Sequence, residues 1–387
     1  MMLRPLSSSL VLPILALGLL PATLAAQGLT EPPPGDNQRS DVRQSIGPVE
    51  IAVQYSSPDV HGPDGADRRG KIWGEGNLIP YGYHEESFGT CGKKCPWRGG
   101  ANQNTVFSTS HDVQIEGQKL AAGSYGLHFL AGAEQWTVIF SHDSTSWGSF
   151  FYDESEDALR VTVAPRKNEY REWLTYEFTD RQTDKARLEL QWEDLAVPIS
   201  IQVPNVDQLW AASMERELKN SIGFDHRSWQ QAASFLLDKK IHLDKAEAWA
   251  QAAVERQFVG QANFLTLSTL ARAQAANGKT KEAKASMDKA LADTSATVLD
   301  IHQYGRQLLA RGEKAEALRI FQLNAKRFGD TWPINVGLTR GYSANGDFKS
   351  ALKHARLALA QAPDDLNKNN LKGMIAKLEA GKDANQP

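Results

Sequence analysis

Hydrophobic and polar residues follow two different rhythms along this chain. Val49, Ile51, Val53 and Tyr55 alternate with Glu50, Ala52 and Gln54, a period of two that predicts a half-buried strand. The stretch 113–140 predicts a short strand, a Gly-rich turn and a hairpin of two longer strands, 124–131 and 134–141, turning at Gly132-Ala133. On its second strand Trp136, Val138 and Phe140 share one face, and Thr137, Ile139 and Ser141 share the other. A lone hairpin is marginal in water, so it must belong to a larger sheet. Further strands are expected at 149–152 and where Leu159, Val161 and Val163, then Leu174, Tyr176 and Phe178, then Leu188, Leu190 and Trp192 alternate. Val197, Ile199, Ile201 and Val203 close the series. About nine or ten strands with mostly local connections predict an antiparallel β-sandwich-like domain or a flattened barrel.

From about Val206 the period lengthens. Leu209, Trp210, Met214 and Leu218 recur at helical spacing, and Gly278, Gly312 and Gly346 then recur every 34 residues. Each glycine sits in a similar octet (ANGKTKEA, ARGEKAEA, ANGDFKSA), with Ala283, Ala317 and Ala351 at a constant distance after it. Ala290 and Ala358 also match, Asn324 replaces the small residue of the middle unit, and Pro363 ends the last unit. This pattern resembles the tetratricopeptide repeat over about 264–365, which implies stacked helix pairs and a surface for a protein or peptide partner. A degenerate unit is expected at 229–257, where Ala246, Ala250 and Ala253 repeat the second-helix pattern, and a capping helix at 371–378.

Charge divides at nearly the same place. Residues 1–226 hold 19 Lys and Arg against 30 Asp and Glu, net −11, while 227–387 hold 24 against 16, net +8. The halves either dock on each other or leave a basic helical half to seek an acidic partner. No basic cluster is interleaved with aromatics, which argues against nucleic acid. Arg4, an apolar run over 10–20 and the small residues 22–26 have the layout of a secretory signal peptide, so the mature chain is expected in the periplasm or outside the cell, without a membrane span. The expected organisation is a signal peptide at 1–26, a flexible leader at 27–48, a β domain at 49–204, a connecting helix at 205–226 and helical repeats at 227–380. Cys91 and Cys95, the only cysteines, are expected to form a local disulfide in an oxidising compartment.

The segments YSSP (55–58), IPYG (79–82), WRGGAN (97–102), G-x-x-L-x-A-G-x-Y (117–125), EQWTVIF and WGSFFYDES together resemble the domain-of-unknown-function family 2911 over about 49–203. That resemblance implies an exported bacterial protein, often with a helical repeat tail, and no assigned activity. The family's Trp-Arg-Thr-Gly-Ala-Asn-Glu-Ala-Thr run reads here Trp97-Arg98-Gly99-Gly100-Ala101-Asn102-Gln103-Asn104-Thr105, behind a cysteine-bearing insertion. Gln103 cannot ionise, so it can neither take a proton nor anchor a metal as a carboxylate would. Arg98 offers a rigid fork of donors suited to a carboxylate, phosphate or sugar hydroxyl, and Asn102 can donate and accept beside it. They either tie an irregular loop to the sheet or, with Trp97, Gln103 and His84, form a ligand site.

Signatures of particular chemistries are weak. His61, His84, His111, His128 and His142 do not pair at metal-ligand spacing, no G-x-S-x-G occurs, and no Gly-rich loop leads into a phosphate-cradling helix, so no cofactor is expected. Trp73, Trp97, Trp136, Trp147, Trp173 and Trp192 raise glycan binding as a rival reading, although Trp136 and Trp192 share faces with apolar neighbours. The sequence therefore points to an exported binding or scaffold protein, with catalysis not required. The alternative is a hydrolase or carbohydrate-binding protein acting in a cleft near Arg98 and Asn102. Polar side chains converging in a deep pocket beside the Trp97 loop would favour the alternative, and a filled, shallow loop would favour scaffolding.

Overall fold

Ten strands and ten α-helices form among the described residues, 37–62 and 65–386 of the computed structural model. The strands are β1 Gln38–Ile46, β2 Val49–Ser57, β3 Val106–Thr109, β4 Val113–Ile115, β5 Gln118–Leu120, β6 Gly123–Leu130, β7 Trp136–Ser141, β8 Asp157–Val163, β9 Arg166–Thr179 and β10 Lys185–Gln202. They make two antiparallel sheets, ordered β1-β2-β3-β6-β7-β8 and β5-β4-β10-β9. The fold is a sandwich and not a closed barrel. The inner face of the β6–β7 hairpin carries Leu127, Phe129, Trp136, Val138 and Phe140, all buried, and each fully buried side chain of this kind contributes about 2 kcal/mol. Across the sandwich, Tyr55 and Tyr176 meet edge-to-face with ring centroids 4.8 Å apart.

Three expectations change. The expected signal peptide and the expected leader through residue 36 lie outside the described residues, but 38–46, assigned to that leader, forms edge strand β1 paired with β2 over its whole length. Its side chains are mostly exposed or half-buried, so backbone pairing and not a buried face holds it there. Residues 149–152 form no strand; they turn back so that the Phe150 carbonyl accepts the N–H groups of Thr90 and Cys91 at 2.8 and 3.1 Å. The last two expected strands are one, β10, bent at bulges where Glu193 takes a φ of 56°.

The chain divides after Pro204 into two units. The second holds α1 Val206–Glu217, then the pairs α2 His226–Lys239 with α3 Leu243–Glu255, α4 Phe264–Ala276 with α5 Thr280–Ala292, α6 Val298–Ala310 with α7 Lys314–Phe328, and α8 Trp332–Ala344 with α9 Phe348–Gln361, and closes on α10 Asp365–Glu379. Gly278, Gly312 and Gly346 lie just beyond the ends of α4, α6 and α8, at φ values of 77°, 82° and 82° that favour glycine. Ala317, Ala351, Ala290 and Ala358 are fully buried, as are Ala246, Ala250 and Ala253 of the earlier pair. Asn324 is buried in the small-residue position and donates to the Val298 carbonyl at 2.9 Å.

Phe321 on α7 is 1% exposed and fills a slot walled by glycines. A Cβ on Gly305 or Gly337 would stand 2.5 or 2.6 Å from its ring. Alanine gains about 1 kcal/mol over glycine in an open helix, but overpacking a closed core costs about 1–3 kcal/mol. Gly305→Ala is therefore expected to lower the stability of the helical unit by about 1–2 kcal/mol, the clash outweighing propensity. Denaturant unfolding followed by circular dichroism at the helix minimum checks this, and a stabilised variant would refute the slot.

Candidate functional site

The polar residues singled out in the β unit gather at one end of the sandwich. The chain leaving β2 at Pro58 and Asp59, the 78–86 and 97–102 loops, Arg68 and Trp192 of β10 enclose a cavity of about 450 Å³. Trp97, Arg98, Asn102 and His84 all line it. Gln103 does not; its exposed side chain instead accepts from the Ser56 hydroxyl at 3.4 Å.

Local structure explains the convergence. Past β3 the edge of β6 is taken up by the Trp97 segment, with Trp97 and Phe129 exchanging backbone hydrogen bonds of 2.9 and 2.7 Å. Gly99 then lies at φ 64°, where a Cβ would meet Phe129 and the Tyr176 hydroxyl at 2.6 Å, so the loop can pass only as glycine. Asn102 adopts a left-handed φ of 57°, which asparagine tolerates better than most residues, and this aims its carbonyl at Arg98 Nη1, 2.7 Å away. On the other side His84 and Cys95 exchange backbone hydrogen bonds of 3.0 and 3.1 Å, and the Cys91–Cys95 disulfide closes the loop beyond them. This loop covers the outer face of the sheet, where Cys91 and Cys95 cluster with Ile139 and with Tyr152 of the later turn, which explains why Ile139 is fully buried.

Arg98 is the unusual group. It is half-buried, stacks over the Phe150 ring at 5.1 Å and makes its one side-chain hydrogen bond to the Asn102 carbonyl. Among the described residues no carboxylate reaches it at ion-pair distance. Burial pulls its pKa below the usual arginine range, with the nearby Glu86 charge opposing. Glu86 is instead 3.3 Å from His84 Nε2. Burial holds the His84 pKa below that of a free imidazole, Glu86 raises it and Arg98 lowers it again. Opposite them Arg68 is neutralised by Asp59 at 3.2 Å.

The loop thus leaves open space beside it, and polar side chains converge there. Sequence reading missed Glu86, Asp59 and Arg68. Glu86 stands two residues after His84, a spacing that places both on one side of an extended segment, but only histidine pairs suggested themselves. The tryptophans pack mainly with one another: Trp73 lies 5.1–5.5 Å from Trp97, Trp136 and Trp192, and Trp97 stacks on Trp192 at 6.2 Å. Trp147 and Trp173 are exposed but outside the cavity. His61 pairs with Glu172 at 3.0 Å, His111 with Ser110 at 3.0 Å, and His128 is buried against Ser149 at 2.9 Å. Among the described residues no three His, Cys, Asp or Glu side chains converge as metal ligands would, and no helix is long and apolar enough to cross a membrane.

Comparison with known proteins finds similarities to two parts of the chain. The family described as "Protein of unknown function (DUF2911)" matches residues 37–201, so the match takes in β1. Among solved structures, the helical region is similar to TTC0263, described as a thermophilic TPR protein in Thermus thermophilus, at 20% identity and a TM-score of 0.32, covering 45% of this chain and 91% of that one. It is also similar to YrrB, described as a TPR protein with an unusual peptide-binding site, at 16% identity and a TM-score of 0.30, covering 45% and 87%. No curated protein matches the chain.

Proposed function

We propose that this chain is an exported binding protein with two modules: the β unit holds a small anionic molecule in the cavity beside Arg98, and the helical unit receives a protein partner. The observation that carries the first half is Arg98 itself. A half-buried guanidinium with one backbone hydrogen bond and no carboxylate in reach has donors left to offer, and a carboxylate or phosphate would satisfy them in the bidentate manner. Trp97, Ile79 and Trp192 supply apolar wall to the rest of the ligand, and about 450 Å³ suits a small molecule. The helix pairs in register at 34 residues support the second half. The signal-like N-terminus and the Cys91–Cys95 disulfide support a periplasmic or secreted location.

The test is a titration of the intact chain by tryptophan fluorescence with small carboxylates, sugar phosphates and neutral sugars. Anionic compounds are expected to perturb the spectrum, and Arg98→Gln to weaken them by about tenfold or more, a loss of at least about 1.4 kcal/mol. An Arg98→Gln variant that binds as tightly, or a preference for neutral sugars, would refute the assignment. A hydrolytic reading is favoured by one feature: His84 lines the same cavity, 3.3 Å from Glu86, with its pKa lowered by burial so that it is neutral and able to accept a proton. Product formation in the same titrations, abolished by His84→Asn, would distinguish turnover from binding.

A further inference from the structure

One position of the helical repeat carries an arginine three times running. Arg272 on α4, Arg306 on α6 and Arg340 on α8 are 34 residues apart, each six residues before the glycine that follows its helix. One unit earlier the same position is Asp238 on α2, and it neutralises Arg272 at 2.7 Å. The next two arginines have no such acid. Among the described residues no carboxylate lies within ion-pair distance of Arg306 or Arg340, and both residues line one hollow of about 190 Å³ with Leu309, Ala310 and Asn385.

Arg340 is only partly satisfied. Its Nη1 donates to the Asn385 side chain at 3.3 Å, and its Nε is buried with no partner in the structure. The C-terminal residues fold back on α8, but Asp383 spends its carboxylate on the Ser343 hydroxyl at 2.7 Å and the Asn385 N–H at 3.0 Å. Burial, and then the charge of Arg306, lowers the Arg340 pKa. Two like charges facing one hollow are unfavourable until an anion joins them.

We propose that the Arg306–Arg340 pair is the docking point for carboxylates of an acidic segment on a partner protein. This rests on the reading that the helical unit receives a protein, and it adds the partner's chemistry. The Asp238–Arg272 pair shows that a carboxylate fits an arginine of this row. The excess of 24 basic over 16 acidic residues in 227–387 draws an acidic chain toward it.

The experiment measures fluorescence anisotropy of a labelled polyglutamate peptide with the intact chain, against a polyglutamine peptide of the same length. Polyglutamate is expected to bind, to weaken as salt rises, and to lose about tenfold or more in affinity in the Arg306→Gln, Arg340→Gln double variant. Arg272→Gln, already paired, is expected to change it little. Circular dichroism of the double variant verifies that the helices remain. Equal binding of polyglutamine, unchanged binding by the double variant, or displacement of the peptide by inorganic phosphate at equal concentration would each overturn the proposal. Should a protein co-purifying with the intact chain be retained by the double variant, the helical unit keeps its partner and only the arginine row is refuted.

Discussion

Replacing Trp192 by alanine is expected to destabilise the β unit by about 3–5 kcal/mol, the range for removing a large buried aromatic. The side chain is 1% exposed and sits at the junction of the indole cluster, stacked on Trp97 at 6.2 Å and edge-to-face with Trp73 at 5.5 Å. Its removal takes away both the transfer free energy and contacts that neighbouring rings cannot recover, because those rings are held by one another. Trp192→Phe is expected to cost far less, below about 1.5 kcal/mol. Its indole N–H is buried without a partner, so phenylalanine discards an unsatisfied donor along with some area. Denaturant unfolding followed by near-ultraviolet circular dichroism, with the helix minimum recorded in parallel, measures the loss against the parent chain. An alanine variant losing less than about 1 kcal/mol would show that the cluster is not the core of this unit.

The second large effect is acid weakening through one buried and one half-buried histidine. His128 is held down to about 4 by burial, with Asp143 opposing and Arg98 adding to the shift, and His302 also falls to about 4 through burial and the nearby Arg306 and Arg340. In the unfolded chain both titrate near their ordinary value of about 6.5. Between those values the unfolded state binds more protons, so stability rises with pH across about 4 to 6.5 and is lost as pH falls through that window. For His128, 2% exposed and bonded to Ser149 at 2.9 Å, the contribution is on the order of 3 kcal/mol. His128→Gln is expected to flatten the pH dependence of β-unit stability between pH 4 and 6.5 while leaving that of the helical unit unchanged. The check is a set of denaturation curves at closely spaced pH, and an unaltered slope in the variant would remove His128 as the cause.

These effects attach to groups that differ in how visible they are in the chain. Trp136 and Trp192 read as core because each shares an alternating face with aliphatic neighbours, and both are fully buried. The glycines at 278, 312 and 346 read as helix ends because a left-handed backbone is a local demand that glycine meets best. His128 gave no such signal. It lies on the outer face of β6, and it is buried because the Cys91–Cys95 loop and the 149–152 turn cover that face. Strand β1 was equally silent, since an edge strand with few buried side chains resembles an extended leader until a neighbour pairs with it.

Periodicity, turn chemistry and repeat spacing are properties of neighbours along the chain. They alone carried the change from sandwich to helix pairs near residue 204, the three in-register units and the cysteine pair. The cavity needed the fold. Asp59, Arg68, His84, Glu86 and Arg98 come from several loops and Trp192 from β10, and whether Arg98 meets a carboxylate depends on where the sheets place each loop. Pairing between distant charges is decided by three-dimensional distance, which no local pattern of side chains encodes.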